Sequence, residues 1–101
     1  MTYTQVLDIF QDYLATDDQC EVLQTRHGWT VLLWDSKSNT WFNCDYCKSP
    51  SDLYATLLDY AVMYHTYRLL LKSGQDELTE SEELQVDTTK QYYIKMRHSM
   101  S

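Results

Sequence analysis

The sequence predicts an α+β fold in which one helix precedes a three-stranded antiparallel meander and two helices follow it, in the order αβββαα. Apolar residues recur at three- and four-residue spacing near both ends of the chain, as in helices with one buried face. Between these regions, three short runs rich in β-branched and aromatic residues are separated by polar or glycine-containing turns. A chain of 101 residues fits a single domain, residues 1–101, and we expect its core over about residues 4–73.

The first helix is expected over residues 4–16. Thr2 or Thr4 is a suitable N-cap residue, because its hydroxyl can accept a hydrogen bond from a backbone N–H of the first turn. Thr16 and the two aspartates after it favour bonds to the local backbone, which indicates the end of the helix. The apolar stripe of this segment comprises Val6, Leu7, Phe10, Tyr13 and Leu14.

Three strands are expected over residues 20–26, 29–34 and 40–46. A His-Gly pair joins the first two strands, since glycine tolerates a positive φ, and the polar residues 35–39 join the second and third. Side chains alternate between the faces of a strand, so the third strand has two distinct faces. One face carries Trp41, Asn43 and Asp45, and the other carries Phe42, Cys44 and Tyr46.

A long second helix is expected from Pro50 to about Lys72. Ser49 and Asp52 form an S-x-x-D capping box, and proline suits the first turn because its missing N–H has no helical partner there. Gly74 is a typical residue for the end of the helix. A third helix follows over about residues 79–96, begun by the capping box of Thr79 and Glu82, and we expect a frayed tail after it.

The second helix has an unusually wide apolar surface. We expect one stripe to lie on the sheet, and this stripe comprises Leu53, Leu57, Tyr60, Tyr64, Tyr67 and Leu71. The outer face comprises Asp52, Thr56, Asp59, Met63 and Thr66. The remaining stripe needs a second helix or another chain to cover it. The candidate partner-binding residues are therefore Tyr54, Leu58, Val62, Tyr64 and Leu69.

Charge and hydropathy restrict the partners of this chain. Its formal net charge is −7, with acidic clusters in residues 8–18 and 76–87. Such a surface repels phosphate backbones, so we expect no direct nucleic-acid binding. No apolar run approaches the roughly 20 residues that span a bilayer, and no signal peptide is recognised. An odd number of cysteines, three, favours reduced thiols and a cytoplasmic protein.

The predicted order of elements is also that of double-stranded RNA-binding domains. Those domains place basic residues at the start of their second helix, against the phosphates. Here that turn reads Ser-Pro-Ser-Asp over residues 49–52, with Lys48 as the only basic residue nearby and with Asp45 and Asp52 flanking it. Acidic residues stand where this class of domain needs basic ones to contact phosphates. The chemistry of the site therefore excludes the RNA-binding interpretation, although the order of elements fits it.

Cys44 and Cys47 form a C-x-x-C motif that has three interpretations. A zinc site needs two further ligands, and neither Cys20 nor the histidines form a second closely spaced pair. A thioredoxin-like redox site needs a βαβ pattern, which the sequence lacks, and Asp45 would oppose a thiolate. We therefore expect Cys44 to be a small core residue and Cys47 an incidental loop thiol, with His27 in a turn and His65 packed or at the rim of the core.

No recognisable catalytic motif is present. The sequence contains no P-loop, no G-x-G-x-x-G and no Ser/His/Asp arrangement, and its two glycines cannot build a phosphate-binding loop of that kind. We expect a protein that is not an enzyme and that holds no cofactor.

The N-terminal sequence "MTYTQVLDIFQDYLATDDQCEVLQTRHGWTVLLWD" resembles small proteins encoded on conjugative transposons of Gram-positive gut bacteria, a family with a TTRAP-type domain. The similarity extends through residues 41–59 and into "ELTESEE". It implies an origin in a mobile genetic element and a small α+β fold, and it implies no catalytic residues.

Three hypotheses of function follow. The first is a non-enzymatic accessory protein of a mobile element that acts through contacts with an unidentified protein or with itself. The second is an acidic nucleic-acid mimic that inhibits a DNA-binding protein, which requires both acidic clusters to lie on one continuous surface. The third is a small zinc or thiol-redox protein that uses Cys44 and Cys47.

Overall fold

The computed structural model describes residues 1–100 and has the α+β architecture that the sequence predicts. Two short helices precede a three-stranded sheet, and two long helices follow it. In chain order the elements are α1 Tyr3–Ile9, α2 Gln11–Thr16, β1 Cys20–Thr25, β2 Gly28–Asp35, β3 Thr40–Cys47, α3 Pro50–Ser73 and α4 Glu80–Met100.

The predicted first helix is divided at Phe10, whose φ of −100° and ψ of 14° leave the helical region. The direction of the chain is maintained, because the Phe10 N–H still donates to the Val6 carbonyl and the Leu14 N–H donates to the Phe10 carbonyl. Thr2 begins α1 through a reciprocal capping box with Gln5. The break coincides with a fully buried ring, since Phe10 packs between aromatic side chains of α3 and α4.

The sheet is an antiparallel meander with the strand order β1-β2-β3. Val31 in the central strand is opposite Val22 on one side and Asp45 on the other, so these three side chains share the face that the helices cover. Gly28 has a φ of 137°, and a Cβ at this position would approach the Tyr46 ring to 3.0 Å. Both the turn and the close approach therefore require glycine there.

The helices lie on one face of the sheet and leave the other face open. The core between the two layers contains residues from every element, with the most completely buried side chains being Val6, Phe10, Val31, Cys47, Leu53 and Leu57. Helix α4 runs antiparallel to α3, since Thr89 lies beside His65 and Arg97 lies over Tyr54. It continues to Met100, beyond the predicted end near residue 96, with Tyr93 buried in the core.

Helix α3 is longer than the sheet that supports it. Its 24 residues span about 36 Å, whereas an eight-residue strand spans about 26 Å. Ser49 caps its beginning as predicted, and Gly74 ends it in the left-handed conformation. The buried positions of α3 all lie between Leu53 and Ala61, so its C-terminal half extends past the core. None of the helices within residues 1–100 is both long enough and apolar enough to span a membrane.

Candidate functional site

The C-terminal half of α3 presents an exposed ridge made of Met63, Tyr67 and Leu71. These side chains retain 57%, 59% and 63% of their accessible surface. Their four-residue spacing places them one above the other on the same side of the helix. Three large apolar side chains in a row on a surface are unusual for a helix that has no function in binding.

An aromatic groove lies beside the exposed ridge, between α3 and the end of the β2–β3 hairpin. Its volume is about 570 Å³. Phe42 faces the ridge from the hairpin side and is itself 60% exposed, so the groove is open to solvent. The aromatic residues that line it are Tyr13, Trp34, Phe42, Tyr60, Tyr64 and Tyr67.

The floor of the groove is fixed by a polar contact between α3 and β3. The Tyr60 hydroxyl donates to the Asp45 carboxylate and accepts a hydrogen bond of 2.7 Å from Asn43 Nδ2. Asn43 and Asp45 are on the inner face of β3, as predicted. A register shift opposite Leu33 and Trp34 interrupts the alternation before Asn43, so Phe42 lines the groove and does not share the open face with Cys44 as predicted. The network satisfies polar groups that would otherwise be costly to bury, and it holds Tyr60 in position.

A second buried polar cluster fixes the other wall. The Tyr13 hydroxyl donates to Asp17 Oδ2 over 2.8 Å, and the Gln19 backbone N–H donates to Asp17 Oδ1 over 3.1 Å. The pKa of Tyr13 is raised mainly by burial and further by the neighbouring Cys20. The hydroxyl therefore keeps its proton at neutral pH and remains a donor. Burial likewise raises the pKa of the Cys20 thiol to about 11. The Asp17 carboxylate thus has a structural function in the α2–β1 turn.

The predicted partner-binding residues are less accessible than the sequence suggested. Tyr54 is only 4% exposed, beneath the Arg97 guanidinium, so its assignment to a partner surface is wrong. Leu58 is half-buried and packs against the core, and Val62 and Leu69 are half-buried as well. Helices α1 and α4 pack against α3 and account for part of the burial of these residues.

Tyr64, the remaining predicted partner-binding residue, contacts α2 as well as lining the groove. Its hydroxyl donates to the Thr16 carbonyl over 3.3 Å and accepts a hydrogen bond of 3.0 Å from Arg68 Nη1. Its ring contacts Tyr13 with a centroid distance of 5.7 Å and lines the aromatic groove. Tyr64 is the one predicted partner-binding residue that the structure places in the site.

Sequence reasoning assigned Tyr67 and Leu71 to the buried stripe and Met63 to a polar outer face. The buried stripe is confirmed in the N-terminal half of α3, where Leu53 and Leu57 are buried. It is wrong at Tyr67 and Leu71, which are exposed, whereas Met63 is exposed as predicted. Helical periodicity shows which residues share a stripe, but it carries no information on where the sheet ends. The length of α3 compared with the strands was the signal that could have located the exposed ridge.

The two cysteines of the C-x-x-C motif have the opposite environments to those expected. Cys44 is exposed on the open face of the sheet, whereas Cys47 is fully buried, with its Sγ 3.6 Å from Thr56 Oγ1. The expectation of a core Cys44 and a loop Cys47 is therefore wrong. Strand β3 continues to Cys47, and residues an odd number of positions apart on a strand point to opposite faces.

This geometry opposes a shared thiol site. Cys20 is opposite Leu33 and Cys47 is opposite Trp29, which separates these two cysteines by about 13 Å along β2. Burial raises the pKa of Cys47 and so disfavours a reactive thiolate. Among residues 1–100, no three His, Cys, Asp or Glu side chains are close enough together to hold a metal ion.

The acidic residues that begin α4 have a local structural function. Glu82 accepts a hydrogen bond of 2.9 Å from the Thr79 backbone N–H, while the Thr79 hydroxyl accepts one of 3.2 Å from the Glu82 N–H. Together with Glu80 and Glu83, this carboxylate complements the positive end of the helix dipole. The sequence predicted this capping box.

Comparison with known proteins identifies no relative of this chain. No family model matches the chain, and no curated protein or solved structure matches it.

Proposed function

We propose that this chain is a non-enzymatic accessory protein of a mobile genetic element that acts in the cytoplasm through protein–protein contacts. The observation that carries the proposal is the exposed ridge of Met63, Tyr67 and Leu71 beside the aromatic groove. Contiguous apolar surface of this kind on a small domain marks an interaction site.

The composition of the ridge supports a protein partner. Methionine and aromatic residues are enriched in the cores of protein interfaces, where flexible or rigid apolar side chains fill pockets on the other molecule. Burying one such side chain completely is worth about 1.5 to 3 kcal/mol, so the three residues together can supply the centre of an interface. The exposed Arg68 and Lys72 lie on the same part of α3 and provide a polar rim.

The position of the ridge also supports binding, because the fold does not need it. The fully buried residues of α3 end at Ala61, and in the turns that follow Met63, Tyr67 and Leu71 remain exposed. The mobile-element part of the proposal rests on the resemblance of residues 1–59 to the transposon-encoded family described above.

Site-specific photo-crosslinking in cells that carry the native element tests this function. A photoreactive phenylalanine analogue replaces Tyr67 in one variant and Tyr92 in another, since Tyr92 is a tyrosine on α4 that is 50% exposed, against 59% for Tyr67. The proposal predicts a discrete crosslinked product from position 67 that is absent from position 92. No product from position 67, or the same products from both positions, would overturn it. The mass of the product separates a foreign partner from a second copy of this chain.

A further inference from the structure

A second cavity lies where the C-terminal half of α3 meets the end of α2 and the beginning of α4. Thr16 of α2 and Gln85 of α4 line two of its sides, and α3 supplies the remaining wall. The volume of this three-helix cavity is about 670 Å³, which lies within the range of about 300 to 1,000 Å³ that is typical of small-molecule sites. The cavity is therefore large enough to hold a small organic ligand.

The three-helix cavity has a positively charged wall, although the chain as a whole carries −7. Arg68 and Lys72 both line it, whereas no aspartate or glutamate of residues 1–100 does. Their four-residue spacing places the two side chains on one side of α3, with Cβ atoms about 6 Å apart. One anionic group can therefore contact both cations and relieve the repulsion between them. Charges more than about 8 Å away are largely screened at physiological ionic strength, so these two cations determine which charge the cavity accepts.

Tyr64 holds the Arg68 guanidinium in place at the cavity. Arg68 Nη1 donates to the Tyr64 hydroxyl over 3.0 Å, and the guanidinium carbon lies 5.6 Å from the centroid of the Tyr64 ring. That hydroxyl also donates to the Thr16 carbonyl, so Arg68 is connected to α2. Arginine has five N–H donors, and the bond to tyrosine leaves most of them for a ligand. Lys72 forms no hydrogen bond or ion pair with residues 1–100, so its ammonium group is available too.

The rest of the wall combines one unsatisfied polar atom with apolar surface. His65 Nδ1 lies 3.4 Å from Thr89 Oγ1, but the buried Nε2 has no hydrogen-bond partner within residues 1–100. Buried polar groups normally have such a partner, and a ligand in the cavity can supply it. Leu69 and the Tyr64 ring offer apolar contact beside the two cations. The lining therefore suits a ligand with an anionic group at one end and an apolar body at the other.

From these observations we propose that the three-helix cavity binds a small organic phosphate. Its phosphate group contacts Arg68 and Lys72, and its compact apolar or aromatic body lies against Leu69 and Tyr64. A phosphate monoester carries a charge of about −1.5 to −2 at neutral pH, which matches two cations better than the single charge of a carboxylate. The guanidinium fork pairs with phosphate oxygens, and the lysine adds a point charge. A nucleic-acid backbone would also meet the acidic clusters of the surface, whereas a small phosphate would not.

NMR titration of the isotope-labelled full chain with phenyl phosphate tests the proposal. Inorganic phosphate lacks the apolar body, phenol lacks the charge, and benzoate carries a carboxylate in place of the phosphate. We expect saturable shifts of amides around the cavity with phenyl phosphate, binding at least about tenfold weaker with inorganic phosphate and with benzoate, and none with phenol. No saturation by phenyl phosphate up to about 10 mM, or a control that binds as tightly, overturns the proposal.

Three variants locate the ligand. Arg68→Gln and Lys72→Gln should each weaken the binding of phenyl phosphate at least about fivefold. Lys95→Gln is the matched control, because it removes the same charge from an exposed lysine of α4 that lies about 15 Å along the helix from Gln85. Its affinity should equal that of the parent, and equal loss in all three variants would overturn the inference.

Thermal unfolding separates binding from a purely structural function of Lys72. Lys72 lies in the last turn of α3, where it also complements the negative end of the helix dipole. Phenyl phosphate should raise the Tm of the parent and of Lys95→Gln, and should not raise that of Lys72→Gln. A lower Tm in Lys72→Gln with an unchanged response to phenyl phosphate would overturn the inference. Crosslinking at position 67 does not use this ligand, so the proposed function stands or fails separately.

Discussion

The guanidinium carbon of Arg97 lies 4.5 Å from the centroid of the Tyr54 ring. This contact joins the end of α4 to the beginning of α3 and covers a tyrosine that the sequence assigned to a partner. Where α4 and the sheet both contact α3 the helix is buried, and past the edge of the sheet the exposed ridge begins.

The Arg97–Tyr54 contact should contribute measurably to stability. A double-mutant cycle with Arg97→Met and Tyr54→Leu is expected to give a coupling free energy of about 1 kcal/mol, since a partly desolvated cation over a ring is worth about 0.5 to 2 kcal/mol. Urea unfolding measures it. Lys95→Met in the same cycle is the control, because Lys95 is exposed, and its coupling to Tyr54 should be close to zero. Additive effects for Arg97 would show that the contact is incidental.

Two phenylalanines provide a matched test of the core boundary. Phe10 is fully buried between Tyr54 and Tyr93, whereas Phe42 is 60% exposed at the groove. Phe10→Ala should lower the free energy of unfolding by about 3 to 5 kcal/mol, because it leaves a cavity. Phe42→Ala should change it by less than about 0.5 kcal/mol. Similar losses for both variants in denaturant titrations would contradict the assigned burial.

The three thiols should react with Ellman's reagent at very different rates. Cys44 is exposed, while Cys20 and Cys47 are buried. In the folded protein only Cys44 is expected to react promptly, and Cys44→Ser should abolish this fast phase. Denaturation should make the remaining thiols reactive. A fast phase that persists in Cys44→Ser would show that Cys20 or Cys47 is accessible in the folded protein.

Stability should fall at alkaline pH because of Cys20. Burial raises the pKa of this thiol from an ordinary 9.0 to about 11, so the folded state holds its proton more tightly than the unfolded state. The resulting stabilisation is complete below pH 9 and is lost as pH rises to about 11, with an upper limit of about 2 to 3 kcal/mol. Tyr13 adds a loss of the same sign above pH 10.

The variant Cys20→Ala separates the contribution of the thiol from that of Tyr13. Urea unfolding at pH 7.5 and pH 10.5 should show a smaller loss of stability in the variant than in the parent protein. Equal losses in the two proteins would show that Cys20 titrates alike in the folded and unfolded states.

Local signals in the sequence were sufficient to predict the elements. The capping residues Ser49, Gly74 and Thr79 begin or end helices where they were expected, because each acts within one turn of its own backbone. Gly28 marks the first hairpin for the same reason. The division at Phe10 was not predictable, since it accompanies the packing of that ring against residues far away in the sequence.

The candidate site depends on contacts between distant elements and was only partly predictable. The sequence indicated that α3 carries more apolar surface than its sheet can cover. It assigned the exposed apolar surface to the stripe of Tyr54, Leu58, Val62 and Leu69, and the structure leaves Met63, Tyr67 and Leu71 exposed instead. Which residues remain exposed is decided by where α3 crosses the sheet and by how α4 packs. Cys44 is exposed because it lies on the face of β3 that no helix covers, which the sequence did not indicate. Cys47 is buried on the opposite face because β3 extends one residue further than predicted.

The exposed ridge is tested most directly by comparing two leucines. Leu71 lies on the ridge and Leu84 lies on α4, and they are 63% and 67% exposed. Tagged chains carrying Leu71→Ser or Leu84→Ser are purified from cells that contain the native element, and the amount of the partner crosslinked at position 67 is measured for each. The ridge predicts at least about a tenfold loss of that partner for Leu71→Ser and none for Leu84→Ser, with both variants as stable as the parent. Full recovery with Leu71→Ser, or equal loss with both, would contradict it.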